Sequence, residues 1–401
     1  MNRTQSLVAL VALNAFPIGC AQPGKLPANS PSSASQPRRE MNMTLARTVV
    51  TPSEALNVNE LFDRGLRRFE SRQYAAAAVD LETAADAAPE QSWAPLAFYK
   101  AALARDELGA FPACAENFKR VVHGQSASPQ RRDAHVRLVR VLVHLEQWTE
   151  AGREANSFLE RYNDPRPLEA IVARGGRALA ELSADDLIRA ERDVESARSI
   201  IEDQQFQMPA RLHRDVAVVY FALGELRRRR AGNIRFVPIS ANFSDQLEQR
   251  CQLLLDAQFA YSTSMRAYDA HWSIMAGYRV GELYAQLHTD LMELLATDSP
   301  TDPERKRLFE AALRLRYSIL LSKAVNSMEH TLATAARTNE NSHWVQLTRD
   351  AYESLKNSLS REEAALNAIP YSREQLEAAL QNLRRNQGSH SVSGAAHDQA
   401  K

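Results

Sequence analysis

Residues 61–89 read LFDRGLRRFESRQYAAAAVDLETAADAAP, and the fold follows from how this stretch recurs. Tyr74, Phe111 and Trp148 are each 37 residues apart, and the small residues Ala77, Cys114 and Ala151 keep the same interval. So do Leu81, Phe118 and Ala155, and then Ala84, Val121 and Phe158. A fixed period of a few dozen residues is the mark of stacked supersecondary units, each too small to bury its own apolar side. Within the first unit the apolar positions fall at helical spacing on either side of a short polar turn, which predicts a pair of helices.

The residues Leu61, Gly65, Tyr74, Ala77, Leu81, Ala84 and Pro89 resemble the tetratricopeptide repeat. That family uses a Gly for close helix contact, an aromatic and an Ala where the second helix begins, and a closing Pro. One departure is Arg68, where the family has an aromatic, with Phe69 a place later. Another is the period, 37 against the family's 34, which implies longer helices or turns. Units from about Pro95 to Ser128 and from about Arg132 to Pro165 match less well. A fourth uses Gly176, Leu187, Ala190, Val194 and Ala197 and ends before Pro209. The expected fold is all-α: an α-solenoid of tetratricopeptide-like hairpins over residues 57–205, with a concave surface.

Beyond Pro209 the helical pattern lengthens. Leu212, Val216, Val219, Leu223 and Leu226 mark one face, and Leu247, Cys251, Leu254, Gln258, Tyr261, Met265 and Tyr268 a second. Trp272, Ala276, Val280, Leu283, Leu287, Leu291 and Leu294 mark a third, and Leu308, Ala312, Leu315 and Ile319 a fourth. Long helical hairpins are therefore expected over 209–360. Between the first two faces, Ala231 to Phe243 alternates in polarity, but Pro238 argues against a central strand and predicts a long loop. Thr301-Asp302-Pro303-Glu304, Ser360 with Glu363, and Ser372 with Gln375 read as helix starts. Residues 361–401 read as short helices and a disordered tail from about Asn386.

Composition supports this reading. Only 14 glycines occur in 401 residues, while Ala, Leu, Glu and Arg dominate, so good helix formers are nearly everywhere. Lys and Arg number 49, and so do Asp and Glu, so no net charge favours nucleic acid.

Residues 1–20 have the layout of a lipoprotein-type signal peptide. Arg3 precedes an apolar run from Leu7 to Ile18, interrupted by Asn14. Twelve helical residues span about 18 Å, short of the roughly 30 Å of a hydrocarbon core, so the run is not a lasting anchor. Phe16-Pro17-Ile18-Gly19-Cys20 resembles the lipobox of bacterial lipoproteins, which implies lipidation of Cys20. Pro17 stands where that pattern prefers Leu, and cleavage by an ordinary signal peptidase is the second reading. Ala21, in place of Asp, implies an outer-membrane destination facing the periplasm. Residues 21–56 interleave Pro23, Pro27, Pro31 and Pro37 with serines and read as a disordered tether, with an end-to-end distance of roughly 30–36 Å.

A search for chemistry returns little. No phosphate loop, dinucleotide fingerprint, nucleophile elbow or metal-binding spacing is present, so neither enzyme activity, cofactor, metal nor small-molecule substrate is expected. His135 and His144 lie on opposite sides of one helix, and Cys114 and Cys251 read as buried small residues. His271 reads as a helix-start residue beside a core aromatic. Phe62, Leu66, Phe69, Tyr99 and Leu103 fall near positions that face the groove in tetratricopeptide proteins, and are the candidate partner contacts. Each is as readily explained by helix packing. Phe62 and Leu66 also stand where the family's carboxylate clamp would need Lys and Asn. The run Arg227-Arg228-Arg229-Arg230 reads as a solvated helix C-terminus or as a patch for an anionic partner. Aromatics from Phe236 to Tyr284 read mainly as core.

The stretch Gln246-Leu247-Glu248-Gln249-Arg250-Cys251-Gln252-Leu253-Leu254-Leu255, with Gly281-Glu282-Leu283-Tyr284, looks like tetratricopeptide proteins of myxobacterial type, some of them in gliding-motility assemblies. The resemblances imply a non-enzymatic scaffold whose partners are other cell-envelope proteins, in motility, outer-membrane assembly or secretion. A soluble periplasmic peptide-binding or chaperone-like module is the alternative, and an enzyme with an unrecognised C-terminal site the third.

Overall fold

Asn57 opens the first helix because its side chain accepts the Asn59 N–H at 3.2 Å, while Glu60 reaches back to the Asn57 N–H at 3.3 Å. That capping box satisfies two amides that would otherwise lack partners. From there the computed structural model describes residues 57–208, 213–236, 243–267, 269–297, 303–368, 370–372, 374–376 and 378. Among these residues there is no strand. The signal segment with Cys20, the tether, Leu212, Tyr268, the Thr301-Asp302 cap and the tail from Asn386 lie outside the described residues.

Four hairpins come first: α1 (Val58–Glu70) with α2 (Tyr74–Ala87), α3 (Ala94–Glu107) with α4 (Phe111–His123), α5 (Arg131–His144) with α6 (Trp148–Arg161), and α7 (Pro167–Ser183) with α8 (Leu187–Asp203). The periodic aromatics Tyr74, Phe111 and Trp148 are the first residues of the even helices, and Leu187 takes that place in the fourth. Their periodic small and large apolar partners, Ala77, Leu81, Cys114, Phe118, Ala151, Ala155 and Phe158, are buried. Gly65 has the role expected of it: a Cβ there would stand 2.7 Å from Leu81 Cγ, so only a hydrogen lets α1 and α2 approach this closely. The first hairpin is tetratricopeptide-like in this contact, and the first three in the aromatic start of the second helix.

The turns repeat as faithfully as the helices. Arg72, Gly109, Glu146 and Asp185, each two places before an even helix, all have φ between 57° and 68°. In each, the next N–H bonds to a carbonyl five residues back: Gln73 to Arg68, Ala110 to Arg105, Gln147 to Leu142 and Asp186 to Glu181. This closes free carbonyls of the odd helix and reverses the chain. Only one of the four is glycine, so the others hold a left-handed conformation that costs roughly 1 kcal/mol per side chain. Exposed Arg72 therefore gives a simple test. Arg72→Gly is expected to raise unfolding stability by about 0.5–1 kcal/mol in urea titration, and a loss of stability would contradict the turn geometry.

Five longer helices follow: α9 (Val216–Asn233), α10 (Phe243–Met265), α11 (Ala270–Thr297), α12 (Pro303–Thr338) and α13 (His343–Asn367). Consecutive helices pack along the chain, and odd helices also touch odd neighbours, α1 with α3, α5 with α7, α7 with α9, α9 with α11 and α11 with α13. No pair of even helices makes comparable contact. A two-layer stack that gathers one layer and spreads the other is curved, with the odd layer on the inside.

The C-terminal half departs from expectation in three places. Ser360 and Glu363 are exposed residues within α13, so they start no helix, and the boundary at 360 falls inside an element. The true start is Ser342, followed by buried Trp344 and Val345. Ile319 is 53% exposed, while Tyr317, Leu320, Ala324 and Met328 form the buried side of α12. Finally, α9 runs on to Asn233, and Phe236 is buried beneath the Arg250 guanidinium, 4.5 Å from its ring, so the expected loop begins as packed structure. The Ser372 and Gln375 box is present, with bonds of 2.8 and 3.3 Å.

Candidate interaction groove

The even helices carry a second periodic feature that no apolar pattern reveals. Asp80, Asn117, Glu154 and Asp193 occupy the same register in α2, α4, α6 and α8, and all four are buried. Burial of such groups is tolerated only when they are paired. Asp80 receives Arg64 at 2.8 Å and Arg68 at 2.6 Å, and Asp193 receives Arg177 at 2.5 Å and Arg174 at 3.2 Å. Asn117 donates to Glu82, which also takes Arg105. Glu154 lies 3.2 Å from both His123 and fully buried His135. This row ties the even helices to the odd helices beside them and, through Glu82 and His123, to the preceding even helix.

On the inner side of the stack α3, α4, α5, α7, α9 and α11 surround a cleft of about 370 Å³. Its walls include Phe111, Trp272, Arg137, Arg140, His144 and Asp269. Arg140 grips Asp215 with two bonds of 2.9 and 2.8 Å, tying α5 to the start of α9 across 75 residues of sequence. Arg137 bonds Asp133 at 2.5 Å, and Tyr99 donates to the same carboxylate, which with burial pushes the phenol up to about 12. Burial, then the charge of neighbouring His271, pushes His144 down to about 4, so its imidazole is neutral at pH 7. Burial also pushes the Cys114 and Cys251 thiols up to about 12, which leaves both protonated and unreactive. The cleft thus offers the rings of Phe111 and Trp272 among charged side chains, of which Arg137 and Arg140 are paired within the chain. Asp215→Asn is expected to lower stability by about 1–2 kcal/mol and to speed amide exchange at the start of α9, since buried Arg140 contacts lose a charged acceptor. Unchanged exchange there would contradict the pairing.

The predicted contact residues pack beside the cleft and do not line it. Phe62 stacks on Trp93 with centroids 4.6 Å apart, and Phe69 meets Tyr74 edge-on at 5.7 Å beneath the Lys100 ammonium. Leu66, Tyr99 and Leu103 are half-buried against the core. All five lie on α1 and α3, in the inner layer, but none lines the cleft. The arginine run lies on the last turns of α9, half-buried. Arg228 bonds Glu225 at 2.7 Å, Arg229 bonds Asp185 at 3.2 Å, and Arg230 holds Glu191 with two bonds of 2.5 Å. Three of the four guanidiniums are thus engaged by carboxylates of the chain itself. His135 faces Phe158 and Tyr162 on α6, whereas His144 faces Phe111 and His271, the opposite sides expected for them. Among the described residues no three His, Cys, Asp or Glu side chains group as metal ligands, and no helix is long and apolar enough to cross a membrane.

No protein-family model matches the chain, and no curated protein matches it by sequence. Among solved structures it is similar to a tetratricopeptide repeat protein from Parabacteroides merdae, at 11% identity, covering 75% of this chain and 98% of that one with a TM-score of 0.39. It is also similar to the human IFIT1 dimer with m7Gppp-AAAA, at 14% identity, covering 86% and 73% with a TM-score of 0.38. A third is the TPR2AB domain of yeast Sti1 in complex with a pHSP90 peptide, at 11% identity, covering 75% and 98% with a TM-score of 0.24.

Proposed function

We propose that this chain is a non-enzymatic scaffold that holds protein partners along the groove of its odd-helix layer, tethered to the bacterial outer membrane by lipid on Cys20. The observation that carries this reading is the curved inner layer itself. Its helices gather along one side, and between α3 and α11 they leave a cleft that sets Phe111 and Trp272 among charged side chains, of which Arg137 and Arg140 are paired within the chain. Such a surface is suited to an extended segment or helix of another protein, whose aromatic or aliphatic anchors fill the cleft while the rim supplies polar contacts. In the cell envelope the scaffold would organise an assembly for motility, outer-membrane protein insertion or secretion.

Two arms of one experiment separate the parts of this reading. A photo-crosslinking residue at exposed Glu107, on the wall of the cleft, is expected to capture a defined membrane-fraction protein, and one at exposed Glu195 on α8 is not. Equal capture at both positions, or none from the groove, would contradict the groove as binding surface. Detergent-phase partitioning of the full chain is expected to shift to the aqueous phase in Cys20→Ala. A wild-type chain already in the aqueous phase would favour the soluble peptide-binding module, and a turnover abolished by a point substitution would establish an enzyme instead.

A further inference from the structure

The chain returns on itself far from where its sequence would suggest. Trp344, near the start of α13, donates its indole N–H to Glu146 in the α5–α6 turn at 2.6 Å, and His343 Nε2 lies 3.4 Å from the same carboxylate. These residues are 198 positions apart. Beside them the imidazole of His144, at the end of α5, stacks on that of His271, at the start of α11, with centroids 4.0 Å apart. Phe111 closes on the other side of His144, also at 4.0 Å. His271 is 5% exposed, and its Nδ1 is 3.9 Å from Glu340, just past the end of α12. Four helices thus meet in a cluster of three histidines and two carboxylates.

That junction is made by side chains. The backbones of α4 and α5 make no close pairing with α11, α12 or α13 comparable to those within each set, and the two sets are joined through α7, α8 and α9. A contact of this kind separates without unfolding either side. We propose that the His144–His271 stack, with Glu146, Glu340, His343 and Trp344 around it, is an acid-released latch that holds α11–α13 against the α4–α5 region.

The physical reason lies in what surrounds the stacked rings. A proton on His144 puts a cation face to face with a second imidazole, in a site with little water. The groups around it in the cleft are Phe111 from α4, Asp106 and Glu107 from the end of α3, Arg137 and Arg140 on its own helix, Arg214 and Asp215 before α9, and Asp269 and His271 from the start of α11, with Glu340 from the end of α12 acting beside them. Asp269 is already committed to capping α11 through the Trp272 N–H at 3.1 Å. Burial and the charge of His271 outweigh the help of the two carboxylates and push His144 down to about 4 from 6.5. When the latch opens, His144 regains water and its ordinary value. The open form therefore binds the proton more tightly between those limits, so closure is fully favoured well above pH 6.5, is weakened by about 160-fold at pH 4, and approaches a limit of about 300-fold below it. Glu340 is held below its usual range chiefly by His271, whose Nδ1 is 3.9 Å away, so its protonation acts in the same direction at still lower pH. Since His144, Asp269 and Trp272 also wall the cleft, release would widen that site, whatever occupies it.

The test reads helix separation rather than binding, so it stands apart from the identity of any partner. Nitroxide labels at Arg153→Cys on α6 and Glu353→Cys on α13, both exposed, in a full-length Cys20→Ala chain, give an inter-label distance by pulsed electron resonance. A single narrow distribution is expected at pH 7.5, with a longer population appearing below about pH 5 while far-ultraviolet dichroism keeps its helical intensity. His144→Phe, which keeps an aromatic ring without a charge, should remain closed across the range, and Glu340→Gln should open at higher pH than the wild type. Should His144→Phe fail to fold, His271→Phe makes the same measurement from the other ring. A wild-type distance unchanged between pH 7.5 and 4, opening that persists undiminished in the phenylalanine variants, or loss of helicity over the same range would each overturn the latch.

Discussion

Phe158→Ala is expected to lower unfolding stability by about 3–5 kcal/mol, the largest single loss among the hairpin residues. Phe158 is fully buried in α6, 5.4 Å from the ring of buried His135 on α5 and 4.8 Å from Tyr162. Truncation removes those contacts and leaves a cavity between helices that the surrounding backbone can only partly close. The loss extends to neighbours, because α6 also packs on α7, and a stack of hairpins is stabilised through its interfaces. Urea titration followed by circular dichroism measures the effect. A loss under 1 kcal/mol would mean that α5 and α6 do not share this core.

Glu225→Ala is expected to cost about 3–5 kcal/mol for a different reason. This carboxylate, on α9, is 6% exposed and gathers three helices: Tyr261 of α10 donates to it at 2.7 Å, Arg279 of α11 lies at 2.9 Å and Arg228 bonds it at 2.7 Å. Burial alone would raise its pKa, but Arg279 and Arg228 overcome that and hold the carboxyl below its usual value. Removal leaves two guanidiniums and a fully buried phenol without their shared acceptor. Both arginines keep some access to water, so the lower end of the range is expected. The sign with pH follows. A carboxylate whose folded value is depressed stabilises the fold above about pH 4.5 and loses that contribution as pH falls toward its folded value. The wild type should therefore lose stability below pH 4.5 more steeply than Glu225→Ala does, and parallel pH profiles would contradict the pairing.

The hairpins were readable because their apolar positions recur in sequence. Tyr74, Phe111 and Trp148 mark the starts of α2, α4 and α6, and Gly65 marks the tight α1–α2 contact. The same interval also links Asp80, Asn117 and Glu154, but a search for apolar periodicity passes over carboxylates, since an acidic residue on a helix usually faces water. Past α8 the strict period ends, and single-helix patterns were less sure guides. The buried side of α12 was misplaced at Ile319 because this helix packs on both α11 and α13, so its apolar face is broad. Ser360 and Glu363 imitate a capping box, yet no residue between Ser342 and Ala368 breaks the helix, and both side chains simply face solvent. The cleft and the His144–His271 stack were beyond reach for a plainer reason. Their partners are 75 to nearly 200 residues apart, and only the curvature of the stack brings them together.

The central claim is that neighbouring hairpins bury their apolar sides against one another, so that the continuous core from Leu81 to Leu376 is a row of helix–helix interfaces. Amide hydrogen exchange of wild type and Phe158→Ala, resolved along the sequence, tests it most directly. Protection should fall most in α5, α6 and α7, less in α3, α4 and α8, and least in α1, α2 and the α11–α12 pair. A uniform loss over all helices, or protection lost first at α12 while α6 is unchanged, would contradict it.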